Sequence, residues 1–290
     1  MKRIIPFLIA MALPLLASAQ GTPSAADFLR RYNTLTEHVG AAGVGVETLL
    51  DKWQAAYPDD VQQMLARFNF CFTRSRTTQV IQLDRDRYLG QQPIIPFTDS
   101  LGVKRNFFED PVYDDDLFAE ALQCLNQAIA ARPHRLDFRH LRIDALLAYE
   151  KETPDMGLQA LKELADKHFR EHTPWEYEGL SSVSDEQFKA FMQDYCVALF
   201  QLGSESGQEA FKSLTEYLLT YCKNEPLYVN NLGSYYLVKR DFKKARKYID
   251  SVLKKHPDDP TALRNGVLLA RASKDTKLEK KYRSLMAKAQ

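Results

Sequence analysis

What most constrains this fold is a spacing of small and large residues in Leu227–Pro260, LYVNNLGSYYLVKRDFKKARKYIDSVLKKHPDDP. Leu232-Gly233 and Tyr236 fall on one helical pattern, Leu227–Val238. Ala245, Ile249 and Val252 fall on a second, Phe242–His256. The three residues between, Lys239-Arg240-Asp241, leave room only for a tight turn. Asp241 can cap the second helix, and Pro257 bars its continuation. Gly233 and Ala245 let the two helices cross closely, and Tyr236, Ile249 and Val252 fill the space beside them. One such hairpin cannot bury its own apolar face, so it must lean on others like it.

Others are present. The twelve-residue interval from Ala245 to Pro257 recurs from Ala121, through Leu125 and Ala128, to Pro133. Ala210, Leu214 and Tyr217 keep the same frame, with Cys222 in the place of the proline. Ala160 and Leu164 supply another copy, and Leu50, Trp53 and Pro58 a looser one. Partner helices are predicted at Val61–Phe72, Leu136–Tyr149, Phe188–Leu202 and Thr261–Ala272, with Thr276–Ala289 as the polar cap a stack requires. The Leu-Gly-x-x-Tyr, Ala, large apolar and Pro frame of Leu232–Pro257 resembles a tetratricopeptide repeat, with Val229 at the family's tryptophan position. The resemblance implies an all-α superhelix of helical hairpins, an α-solenoid. By it residues 20–72 are N-terminal hairpins and 117–290 are repeats closed by a capping hairpin.

Residues 73–116 break the rhythm. They carry β-branched and aromatic residues, three prolines and the turn-like Thr98-Asp99-Ser100-Leu101-Gly102. A short β-hairpin or a long ordered loop is expected. Ile94, Ile95, Phe97, Phe107, Phe108 and Tyr113 make it too apolar for disorder, so it should pack, over a groove or along one side.

The start, MKRIIPFLIAMALPLLASAQG, reads as a secretory leader over residues 1–19. It has a basic opening, an apolar run too short to span a membrane, and a small-residue cleavage site ending at Ala19. Such a leader implies an exported protein, periplasmic or secreted. Export permits disulfides, yet Cys71, Cys124, Cys196 and Cys222 each lie within a helical pattern beside large apolar residues. They are read as buried thiols. Charge is divided: Lys239–Gln290 holds 16 Lys/Arg against 6 Asp/Glu, whereas residues 20–238 hold 21 against 32. Solvated helix faces account for this; so would a basic end that meets an acidic surface.

Motifs for chemistry are sparse. His168-Phe-Arg-Glu171-His172 matches H-x-x-E-H, and a zinc hydrolase could use His168, Glu171 and His172. The motif closes a repeat helix before Thr173-Pro174 and lacks a third ligand, so it reads as a solvated helix end. Gly203–Gly207 has Glu205 where a nucleophile would stand. Gly40, Gly43 and Gly45 come after no strand and precede no Lys-Ser/Thr pair. Asp114-Asp115-Asp116 reads as a helix N-terminus before Leu117. No catalytic set, cofactor motif or nucleic-acid motif is present.

In tetratricopeptide stacks the first helix of each hairpin lines the concave surface. By that resemblance the inward residues are Gln62, Asn69 and Phe72; Asp137, His140 and Asp144; Tyr195; Asn230 and Ser234; and Arg264 and Arg271. Asn and Tyr there suit the backbone of an extended peptide. Two arginines are too few for the family's clamp on a C-terminal carboxylate. The expected function is reversible, non-enzymatic binding of a protein or peptide. The alternative is an envelope-associated structural component docked through the basic C-terminal repeats.

Overall fold

The computed structural model describes residues 22–179 and 182–289. The expected leader and its cleavage site lie outside the described residues. No helix among them is long and apolar enough to cross a membrane.

The described chain runs α1 (Ala25–Val39), α2 (Val46–Ala56), α3 (Val61–Ser75), β1 (Arg76–Leu83), β2 (Asn106–Tyr113), α4 (Asp115–Ala131), α5 (Leu136–Glu150), α6 (Asp155–Phe169), α7 (Asp185–Gln201), α8 (Glu205–Tyr221), α9 (Pro226–Val238), α10 (Phe242–Lys255), α11 (Pro260–Ala272) and α12 (Thr276–Lys288). Helices pack as successive pairs, from α1 with α2 to α11 with α12. Each pair leans on the next through α2 on α3, α4 on α5, α6 on α8, α8 on α9 and α10 on α11. The architecture is an all-α solenoid of helical hairpins with a small two-stranded sheet.

Local chemistry fixes most helix starts. Asp241, Asp259 and Asp275 each accept the backbone N–H three residues on, at 3.0, 2.7 and 2.9 Å. Ser24 and Ser184 form full capping boxes with Asp27 and Gln187. Pro226 and Pro260 open α9 and α11, where a missing N–H costs nothing. The triple aspartate behaves as expected: Asp114 Oδ1 accepts from Leu117 N at 2.9 Å and α4 begins at Asp115.

Apolar faces then zip the pairs together. In α9, a methyl group added at Gly233 would meet Ile249 at 3.3 Å, so α9 and α10 approach to near contact. Tyr236 lies parallel to Tyr248 with centroids 5.6 Å apart. At the other end, fully buried Trp53 stacks on Phe28 at 6.0 Å and donates Nε1–H to Asp60 Oδ2 at 2.9 Å. All four cysteines are free thiols. Burial, with Glu120 nearby, pushes Cys71 up to about 12, and burial pushes Cys196 up to about 12.

The irregular segment forms the expected short β-hairpin and lies inside one helical hairpin. α3 runs three residues past Phe72 and packs on α4, and the sheet continues both helices. Arg76 pairs with Tyr113 and Leu83 with Asn106, while Asp114 N donates to Ser75 O at 2.8 Å. Two expectations need correcting. The segment packs only in part. Phe108 is buried, but Ile94, Ile95 and Phe97, just before the Asp99 turn, remain exposed. Finally, α6 ends at Phe169, so the H-x-x-E-H motif is not a solvated helix end. His168 is buried and stacks on Phe188 at 3.8 Å, and burial lowers its pKa. Its Nε2 lies 3.2 Å from exposed Asp185 without forming a hydrogen bond. His172 sits beyond the helix with φ +54°. The two histidines therefore share no helix face.

Candidate functional site

The first helices α3, α5, α7, α9 and α11 carry every residue expected to face inward. Many of these residues are bonded to the neighbouring hairpin. Asn230 is buried and donates Nδ2–H to Asp259 Oδ1 at 3.0 Å. Ser234 Oγ accepts from Asn265 at 2.9 Å, tying α9 to α11. Gln193 and Asn231 exchange two amide bonds, at 2.9 and 2.8 Å, tying α7 to α9. Phe72 stacks on Phe68 at 5.6 Å and lies beside Tyr113 and Phe118. Asp137 holds Arg135, and Arg271 pairs with Glu279 at 2.9 Å. Gln62, Asn69, Asp144 and Arg264 stay exposed.

Sequence reasoning missed Gln193, Asn231 and Asn265, although a cue existed. Asn231 and Asn265 are 34 residues apart, as are Pro226 and Pro260. Each asparagine therefore occupies the same place in its hairpin and reaches the preceding first helix.

The structure brings His140, Asp144 and Tyr195 together. Tyr195 Oη lies 2.9 Å from His140 Nδ1 and 2.9 Å from Asp144 Oδ1, and His140 Nε2 lies 3.0 Å from Asp144 Oδ2. A phenol has one proton. Given to Asp144, it leaves Nδ1 to donate to the phenolic oxygen and Nε2 to donate to the carboxylate. An imidazolium beside the Asp144 carboxylate accommodates all three contacts. The Asp144 carboxylate raises the pKa of His140 against its burial, and Asp137 and Asp194 add to the rise. Burial, then Asp144, raises the pKa of Tyr195.

The link between α5 and α7 is thus proton-dependent. Its folded pKa lies above the ordinary value near 6.5, so its contribution is complete below that pH and fades as pH rises through the folded value. Between pH 5.5 and 8.5 the urea midpoint of the wild type should fall further than that of a His140→Gln variant. Parallel curves would remove the link. The imidazole is a third exposed, so the difference should stay under about 1 kcal/mol.

One turn on from Asp144, Ala148 lines a crevice of about 280 Å³. Leu147 and Ala148 of α5, Lys151 just after it and Leu202 after α7 form its floor. Thr78, Glu109 and Tyr113 of the sheet and Tyr88 of its loop form the roof. The sheet is held there by Asp110. This buried carboxylate accepts from Lys151 Nζ and Tyr88 Oη, both at 2.7 Å, and from Gln79 Nε2 at 2.9 Å. Burial alone would raise the Asp110 pKa; the three bonds outweigh it and hold the carboxyl below its usual range. Arg85 adds a two-pronged bond to Glu152 at 2.7 and 3.0 Å, and Ser204 Oγ donates to Glu152 O at 2.9 Å. The sheet is therefore a strut across the turns of the α5–α6 and α7–α8 hairpins.

One further property marks the wall. Leu227, Val238 and Leu268 are 40%, 48% and 46% exposed. Leu227 and Val238 share one face of α9 with Ser234, at steps of seven and four residues. Leu268 shares one face of α11 with Arg264 and Arg271. No large apolar side chain of α8, α10 or α12 is similarly exposed. Compared with known proteins, the chain matches no protein-family model, and no curated protein matches it.

Proposed function

We propose that this protein is an exported, non-enzymatic scaffold of tetratricopeptide type, which binds an extended segment of another protein along the wall of first helices. One observation carries the reading: Leu227 and Val238 of α9 and Leu268 of α11 stand exposed on one wall, flanked by Arg264 and Arg271, while the second helices α8, α10 and α12 expose no large apolar residue and α6 exposes only Met156, in its first turn. Apolar side chains grouped on one wall fit a partner that buries them; single scattered ones would not. The hydrogen bonds between successive first helices keep that wall rigid. Little conformational freedom is then lost when a partner docks.

The reading is tested by selection from a random peptide library on the immobilised protein. Enriched peptides should bind the wild type and weaken at least about ten-fold with Leu268→Asp, which removes an exposed apolar contact without touching the core. Failure to enrich any sequence, or equal affinity for the variant, would defeat it.

A further inference from the structure

The basic end is organised. α10 buries Ala245, Ile249 and Val252, which turns Lys243, Lys247 and Lys254 to the opposite, outward side. α12 buries Leu278 and Tyr282 and lies beside α10, because Tyr282 Oη donates to Asp250 Oδ1 at 2.9 Å. Lys281 reaches the same carboxylate, so Lys277 and Lys288, one and two turns away on that side, line the seam between the helices. Lys280 points outward. Most acidic residues of this end are otherwise engaged, Asp241 with Lys244 and Glu279 with Arg271 and Arg283, and exposed Asp258 lies in the α10–α11 turn rather than on either helix. Among the described residues, Lys243, Lys247, Lys254, Lys277, Lys280 and Lys288 are exposed and form no ion pair.

From this we propose that the outer face of α10 and α12 is a seat for an anionic lipid surface, on which the protein stands by its C-terminal end. Three features select lipid over an acidic protein. The free cations on the α10 and α12 helices are lysines, the unpaired Arg240 lying in the turn before α10 and Arg264 on α11; lysines are mobile point charges that suit headgroups without fixed positions, whereas fixed carboxylates favour the planar fork of arginine. The face has no exposed large apolar residue of the kind that anchors a protein interface. Residues 20–238 carry 32 acidic against 21 basic residues, so the rest of the molecule is repelled by the same surface. With screening over roughly 8–10 Å, only the basic end can approach. The inference stands apart from the wall of first helices and does not rest on it.

The test is sedimentation with vesicles of phosphatidylcholine containing about a third phosphatidylglycerol, and with phosphatidylcholine alone, at low and high salt. Binding should occur only to the anionic vesicles and disappear in high salt. Each lysine near such a surface is worth about five-fold in partitioning, so Lys243→Gln, Lys247→Gln and Lys254→Gln together should weaken binding roughly a hundred-fold. Replacing the same three by Arg should preserve it, because the charge is kept. Equal sedimentation with both vesicle types, no sedimentation with either, or full binding by the glutamine variant would each overturn the proposal. So would binding to polyglutamate without binding to anionic vesicles, which would give the face to an acidic protein.

Discussion

Asp110→Ala should lower the unfolding free energy by about 2–3 kcal/mol and loosen the β-hairpin from the helices. Asp110 is the point at which the sheet, its loop and α5 meet. It accepts from Gln79 of β1, from Tyr88 of the loop, and from Lys151 after α5. Removing it strands a buried phenol and a lysine that has only a quarter of its side chain in water. Breaking a fully buried pair costs about 3–5 kcal/mol, and the partial exposure of Lys151 trims that figure. Hydrogen exchange should accelerate across residues 76–113 while α9–α12 keep their protection, since stacked hairpins pass stress only to neighbours. The contribution also depends on pH. The folded pKa of Asp110 lies below its ordinary value, so the stabilisation is present above about pH 4 and drains away as pH falls through the folded value. An Asp110→Ala protein with wild-type stability and unchanged exchange in the sheet would show that the sheet is no strut.

Gly266→Val should release the last helix and leave the remainder standing. A Cβ at Gly266 would lie 2.7 Å from two ring atoms of Tyr282 and 2.9 Å from a third. That ring is fully buried, and its hydroxyl is held by Asp250, so it cannot swing aside without breaking the link to α10. Overpacking of this kind costs about 1–3 kcal/mol. The cost falls on a terminal hairpin that has a neighbour on one side only. Limited proteolysis should trim the variant near the α11–α12 turn, and the loss of helical signal should match roughly one helix. Cooperative collapse of the whole chain would contradict a stack stabilised by nearest neighbours.

The helices were legible because their causes are local. Pro226 and Pro260, the aspartate caps and the small–large spacing around Gly233 and Ala245 all act within a few residues. α9, α10, α11 and α12 accordingly lie within one residue of their expected bounds. The turn at Asp99 was legible for the same reason. The strut was not, because Asp110 acquires its meaning from Lys151, 41 residues away. Nor could periodicity show that α3 and α4 form one hairpin across the inserted sheet. The wall was half legible. Frame placed Tyr195, Asn230 and Ser234 on first helices, but whether such a group faces a partner or a neighbouring helix is set by side-chain reach between hairpins. His168 failed for a related reason: its surroundings are fixed by Phe188, on the next hairpin.

Photo-crosslinking tests the wall most directly. A benzophenone side chain would replace Leu268 or Val238 on the first helices, and Glu163 or Glu216 on the second helices α6 and α8. Each protein would be irradiated with a library-selected peptide. Covalent capture at Leu268 and Val238, with none at Glu163 or Glu216, is the predicted result. Capture confined to the second-helix positions would place the ligand on the opposite side of the stack and contradict binding along the first helices.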